Sequence, residues 1–136
     1  MTVLSITAAS VALASPGLIT KEVVVGEAVT QGQVGYLKAA DNKYWLADAD
    51  AVATAAARGI FMTPAATDGS AIMATFGDIN VGATLTVGEV YGVSVTAGGI
   101  EAISELASGD FPTILGIGIT ASKLRLQIYV SGIAKA

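Results

Sequence analysis

The sequence predicts an all-β fold: a compact β-barrel or sandwich built from two similar halves, with one short helix and an N-terminal arm. Three observations predict it. Short β-branched runs are bounded by Gly, Asn and Asp turn signals, helical periodicity is nearly absent, and one frame occurs twice. Residues 26–34 read G-E-A-V-T-Q-G-Q-V and residues 82–90 read G-A-T-L-T-V-G-E-V, an offset of 56. The shared frame is Gly, two variable residues, an aliphatic, Thr, one variable residue, Gly, one variable residue and Val.

The echo extends further. Gly59-Ile60 answers Gly116-Ile117 at 57, Gly77 answers Gly132 at 55, and the hairpin-like stretch Tyr36–Leu46 answers Tyr91–Ile103. These matches read as a tandem duplication, 23–79 followed by 80–134, with small insertions in the turns and a pseudo-twofold relation between the halves. A chain rich in Gly, Ala, Val and Thr also yields such matches by chance. Like surroundings for Gly32 and Gly88 would separate the two readings.

Taken in order, residues 1–22 form the N-terminal arm or first strand, and residues 23–136 form a single β-domain. Ala12-Leu13-Ala14 resembles a signal-peptidase site, but Met1–Leu13 holds no Lys or Arg for an n-region, so an arm ended by a Pro16-Gly17 turn is expected. Glu22–Val25 is a strand, and Val29-Thr30-Gln31-Gly32 is a tight turn leading into the next one. Asp41-Asn42 turns the chain between Leu37 and Trp45. Asp50–Arg58, D-A-V-A-T-A-A-A-R, is the one helical candidate, with Asp50 as N-cap and Gly59 as stop. Asp68-Gly69 precedes the strand Ile72–Phe76. Leu85-Thr86-Val87-Gly88 repeats the tight turn before the strand Glu89–Val95, and Gly98-Gly99 turns into Ile100. Ser104–Gly109 is a turn at best. Leu124–Val130 alternates cleanly, with Leu124, Leu126, Ile128 and Val130 on one face and Arg125, Gln127 and Tyr129 on the other.

The 136 residues fit one domain with room for a real core. There is no Cys and no His, so disulfides, thiolate sites and the commonest general base are missing together. Charged residues make up 13% against a usual quarter or so, while apolar residues reach 53%. So few charges solvate little surface, which points to burial against other subunits. The stretch Phe111–Ala121 is far shorter than a membrane span of about 20 residues and contains Pro112. The seven basic residues are scattered, so no nucleic-acid footprint is expected.

Candidate chemistry is sparse. Asp41, Asp48 and Asp50 supply oxygens of the kind calcium wants, but their spacing does not match a calcium loop, and turn and cap roles account for them. Gly116-Ile117-Gly118-Ile119-Thr120-Ala121 fits G-x-G-x-x-A, yet a strand follows where a dinucleotide site needs a helix. Glu101 and Glu105 read as a solvated edge. Tyr44 and Trp45 offer aromatic surface for a glycan or a base, or a core-plus-rim pair. Catalytic, cofactor and metal residues are therefore expected to be none.

The segments V-V-V-G-E-A-V-T-Q-G-Q-V-G-Y, D-N-K-Y-W-L-A-D-A-D-A-V-A-T-A-A-A-R-G-I, G-A-T-L-T-V-G-E-V-Y-G-V-S and L-A-S-G-D-F-P-T-I-L-G-I-G together resemble the head-decoration, or capsid cement, proteins of tailed bacteriophages. The resemblance runs from Val23 to Ala134 and lies in texture and order, with no sharp binding motif to carry over. It implies a β-rich structural virion protein, commonly a homo-trimer, on the capsid exterior. Its partner is then the major capsid protein, without enzymatic activity, nucleic acid or membrane. Met1–Leu18 is expected to contact a neighbour or the capsid, outside the monomer core. The rival readings are a phage tail, fibre or secreted adhesion module binding a receptor or glycan, and a ligand-binding barrel or enzyme.

Overall fold

The computed structural model describes residues 3–13 and 18–136. The described residues build ten strands: β1 Val11–Leu13, β2 Ile19–Val24, β3 Val34–Lys38, β4 Lys43–Leu46, β5 Ala57–Phe61, β6 Ser70–Val81, β7 Val90–Val93, β8 Ile100–Ala102, β9 Thr113–Gly118 and β10 Lys123–Val130. All named strand pairs are antiparallel, in the order β4-β3-β5-β6-β10-β9-β7-β8, with β1 and β2 also on β6. The sheet curls as a half-barrel, and its only helical pieces among the described residues are single 3₁₀ turns at Ala8–Ser10 and Ile103–Glu105. No helix among them is long and apolar enough to cross a membrane.

The two halves pair their strands alike. Val34 faces Ile60 and Gly35 faces Gly59; 56 or 57 residues on, Val90 faces Ile117 and Tyr91 faces Gly116. Each ladder then slips by one residue, between Gly35 and Tyr36 and between Tyr91 and Gly92. The repeated turn is reproduced as well. Gln33 N–H donates to Thr30 O at 3.3 Å and Glu89 N–H to Thr86 O at 3.1 Å, with Gly32 at φ +89° and Gly88 at φ +85°. Positive φ at the third residue of a turn is what glycine supplies at no steric cost.

The correspondence changes register after β5 and β9. The β5–β6 connection is longer than the β9–β10 one, and the ladders match Met73 (opposite Phe61) with Leu124 (opposite Gly118), an offset of 51. Gly77 is therefore not the counterpart of Gly132: it lies within β6 opposite Leu126, whereas Gly132 follows β10. The 79/80 division also falls inside β6. That strand completes the first half with Ala71–Ala74 and pairs with β10 from Phe76 to Asn80.

The halves are not equivalent in their surroundings, as a twofold would require. Gly32 is buried against Ile6 and Val11, whereas Gly88 is exposed with nothing within 4 Å, so the like surroundings expected of a duplication are not found at this pair. Val23, Val25, Val29, Tyr44, Phe61, Ala71 and Met73 fill the first half. The main core joins the interior of the second half, including Leu115, Leu124, Leu126 and Ile100, to Val34, Ala57, Ile60 and Ala74 from the outer side of the first. The first half thus serves as a wall of the second, which is why consecutive residues Gly59–Phe61 of β5 and Met73–Ala74 of β6 are buried on both faces.

Two expectations change. Asp50–Arg58 is not a helix: Ala55 N–H reaches Ala51 O in one turn, and from Ala57 the chain joins β5 opposite Tyr36. So short a segment gains more from sheet pairing and from burying Ala55 and Ala57 than from isolated helical turns. The N-terminal arm is part of the monomer core, because Val11 is buried there and Leu4, Ile6 and Leu18 pack against it. Their apolar side chains have a groove to fill within their own chain. The Pro16-Gly17 turn lies outside the described residues.

Candidate functional site

The acidic triplet is occupied by turn chemistry. Asp41 accepts the Lys43 N–H at 3.0 Å and the Trp45 Nε1–H at 3.0 Å, closing the β3–β4 hairpin where Asn42 takes φ +60°. Partial desolvation raises the Asp41 pKa, but these hydrogen bonds and Lys38 and Lys43 outweigh it and hold the carboxyl below its usual range. Asp48, not Asp50, is the capping carboxylate: it accepts from Asp50 N–H at 3.1 Å and the Thr54 hydroxyl at 2.8 Å. Among the described residues no three acidic side chains gather as a cation site.

Gly116–Ala121 runs from β9 through a turn into β10, with no helix to receive a pyrophosphate. Gly116 is needed for close packing, since a Cβ there would overlap the Arg125 carbonyl of the neighbouring strand. Tyr44 is core and Trp45 is rim. The Lys38 ammonium sits 4.3 Å from the Trp45 ring centre, and Gly26 packs so tightly on the indole that a Cβ would overlap it. The indole is engaged by its own chain.

Glu101 corrects the expected solvated edge. Glu105 is exposed at the end of its 3₁₀ turn, but Glu101 is fully buried in β8 opposite Gly92. One carboxylate oxygen accepts the Val95 N–H at 3.3 Å and the other has no partner. A buried carboxylate so thinly satisfied is destabilising. Nothing in the local sequence marks it, because a Glu beside turn residues ordinarily faces water.

The surface feature that the sequence did not single out is the outer face of β7, β9 and β10. Val90 and Ile117 stand opposite each other there, and Arg125 and Gln127 of β10 continue the row. With Ile114 and Gly116 they line a shallow depression of about 220 Å³. Phe76, opposite Gln127, and Ile19, opposite Phe76, carry exposed apolar surface further across the sheet. Arg125 reaches Asp78 in a two-pronged contact, Nε to Oδ1 at 3.0 Å and Nη2 to Oδ2 at 3.3 Å. That hydrogen bonding lowers the Asp78 pKa and raises that of Arg125. The pair leaves the apolar row without an isolated charge of one sign.

The same positions in the first half are core. Val34, Ala57, Ile60 and Ala74 correspond through the ladders to Val90, Ile114, Ile117 and Arg125, and all four are buried in the main core. Three of those four second-half positions stay aliphatic although they face outwards. Chemically this face has no nucleophile–base pair and no clustered ligands; it can bury apolar area against a partner. No family model, curated protein or solved structure matches this chain.

Proposed function

We propose that this chain is a structural virion protein that binds the outer surface of a bacteriophage head, contacting the major capsid protein, and stabilises it without catalysis. The observation that carries the reading is the aliphatic face Val90–Ile114–Ile117, outward on the second half where its counterparts in the first are core. The resemblance to decoration proteins supplies the partner class, and the low charge suits it, because interface cores are depleted in charge. The mechanism is mass action. A protein that binds only the assembled shell stabilises that shell by its binding free energy, and many copies at subunit junctions add up. Association of copies, as a homo-trimer, would bury further apolar surface at roughly 25 cal/mol per Å².

The test uses heads of the phage that encodes this chain, assembled without it. Purified protein is added and the heads are sedimented, then heated. Saturable co-sedimentation with a higher disruption temperature supports the reading, and neither effect at micromolar protein defeats it. Binding instead to isolated tails or to host glycans would favour the adhesion reading.

A further inference from the structure

The two halves close their last strand differently. In the first, the chain leaving β2 returns to β4, where Gly26 N–H donates to Tyr44 O at 2.9 Å. In the second, the matching acceptor is Ile100 O, and Gly82 is the sequence counterpart of Gly26. Yet Ile100 O accepts from Leu4 N–H at 2.7 Å, and Gly82 O accepts from Thr7 N–H at 2.7 Å. The N-terminal segment is wedged between Gly82 and β8.

That groove is built for it. A Cβ on Gly82 would overlap the Thr7 carbonyl, one on Gly99 would meet Val3 Cγ2 at 2.5 Å, and one on Gly32 would meet Ile6 Cγ2 at 2.7 Å. Leu4 and Ile6 pack on the main core, Val11 enters it, and β1 adds a short ladder along Ile79–Val81 of β6. The first twenty residues carry no charged side chain. Without the segment, β8 would present unpaired main-chain groups at a sheet edge.

We propose that the second half is a strand acceptor that takes residues 3–13 of a second copy of this chain, so that copies join by exchanging N-terminal segments. The hydrogen bonds and packing that hold Val3–Leu13 to the rest of the chain are non-covalent and fall on residues beyond the segment, so an identical segment from a neighbour meets the same partners. Exchange of an identical element needs no new interface chemistry, and added strands bind through main-chain hydrogen bonds. This claim concerns how copies join and is independent of head binding.

The experiment mixes isotopically heavy and light full-length protein and reads mixed oligomers by native mass spectrometry. In parallel, a protease site is placed at residues 14–17, the folded protein is nicked, and a fluorescent peptide of residues 3–13 is added. Mixed oligomers and saturable peptide uptake are expected. A peptide carrying Leu4→Asp and Ile6→Asp should bind at least about tenfold more weakly. The proposal is overturned by a folded nicked protein that takes up no peptide or does not discriminate between the peptides. It is also overturned by uptake without mixed oligomers, or by mixed oligomers that persist in full-length protein carrying both Asp substitutions. If nicking unfolds the protein, the full-length mixing and its Asp variant decide alone. Head binding is scored separately, so exchange without head binding would refute the head reading only.

Discussion

Ile60 and Ile117 occupy the same rung of matched ladders, opposite Val34 and Val90, yet Ile60 is wholly buried and Ile117 is 38% exposed. One side-chain type at one topological position thus meets two solvents. The difference arises because the first half turns its outer face into the second half's interior, while among the described residues Val90 and Ile117 on the second half's own outer face stay exposed.

Truncation should separate the two residues. Ile60→Ala should cost about 2–5 kcal/mol, the usual range for a fully buried aliphatic, and Ile117→Ala less than about 1 kcal/mol in the isolated protein. Urea unfolding of both variants checks this. Equal losses would mean that the environments are not as described.

The repeated turn gives a second comparison. Gly88→Ala should destabilise by about 1–2 kcal/mol, the cost of a side chain at positive φ, because a Cβ there meets nothing within 4 Å. Gly32→Ala should cost more, since the added methyl also meets Ile6 and Val11. Thermal melts rank the pair, and a larger loss at Gly88 would contradict the packing of the N-terminal segment.

Much of this architecture is legible in the residues. The alternation over Leu124–Val130, the Asp41-Asn42 and Asp68-Gly69 turns and the twice-used Gly-x-x-aliphatic-Thr frame all correspond to observed elements. Alternation holds through Ile128, which packs against the main core, and fails at Val130, which is exposed beyond the β9–β10 register shift. The full length of β6 is hidden by Ala, Gly and Asp, which carry little strand signal. Which aliphatic face is covered is not local information either: Ile60 and Ile117 both follow a glycine, and only tertiary packing tells them apart.

Glu101 should be a liability. Replacing it with Gln takes an ionisable carboxyl out of the core while keeping an acceptor for Val95 N–H, so the melting temperature should rise. A clear fall would show that the carboxylate is better satisfied than its single hydrogen bond indicates.

The Asp78–Arg125 pair sets a pH dependence. Asp78 has its folded pKa lowered, chiefly by the Arg125 hydrogen bond, so its contribution is present above the unfolded value of about 3.9 and is lost as pH falls through the lower folded value. Asp78→Asn should therefore be less stable than the parent at pH 6, with the gap closing below about pH 4. Arg125 is largely exposed, so solvent keeps the gap small. A gap that widens in acid would reverse the sign of the argument.

The most direct measurement compares wild type with Ile117→Glu for binding to heads assembled without this protein, alongside a melt of each. A charge on the outward row should abolish or strongly weaken binding while leaving the melt nearly unchanged, because Ile117 contributes little to the isolated fold. Undiminished binding by Ile117→Glu, or no binding by wild type, would contradict the assignment of this face as the docking surface.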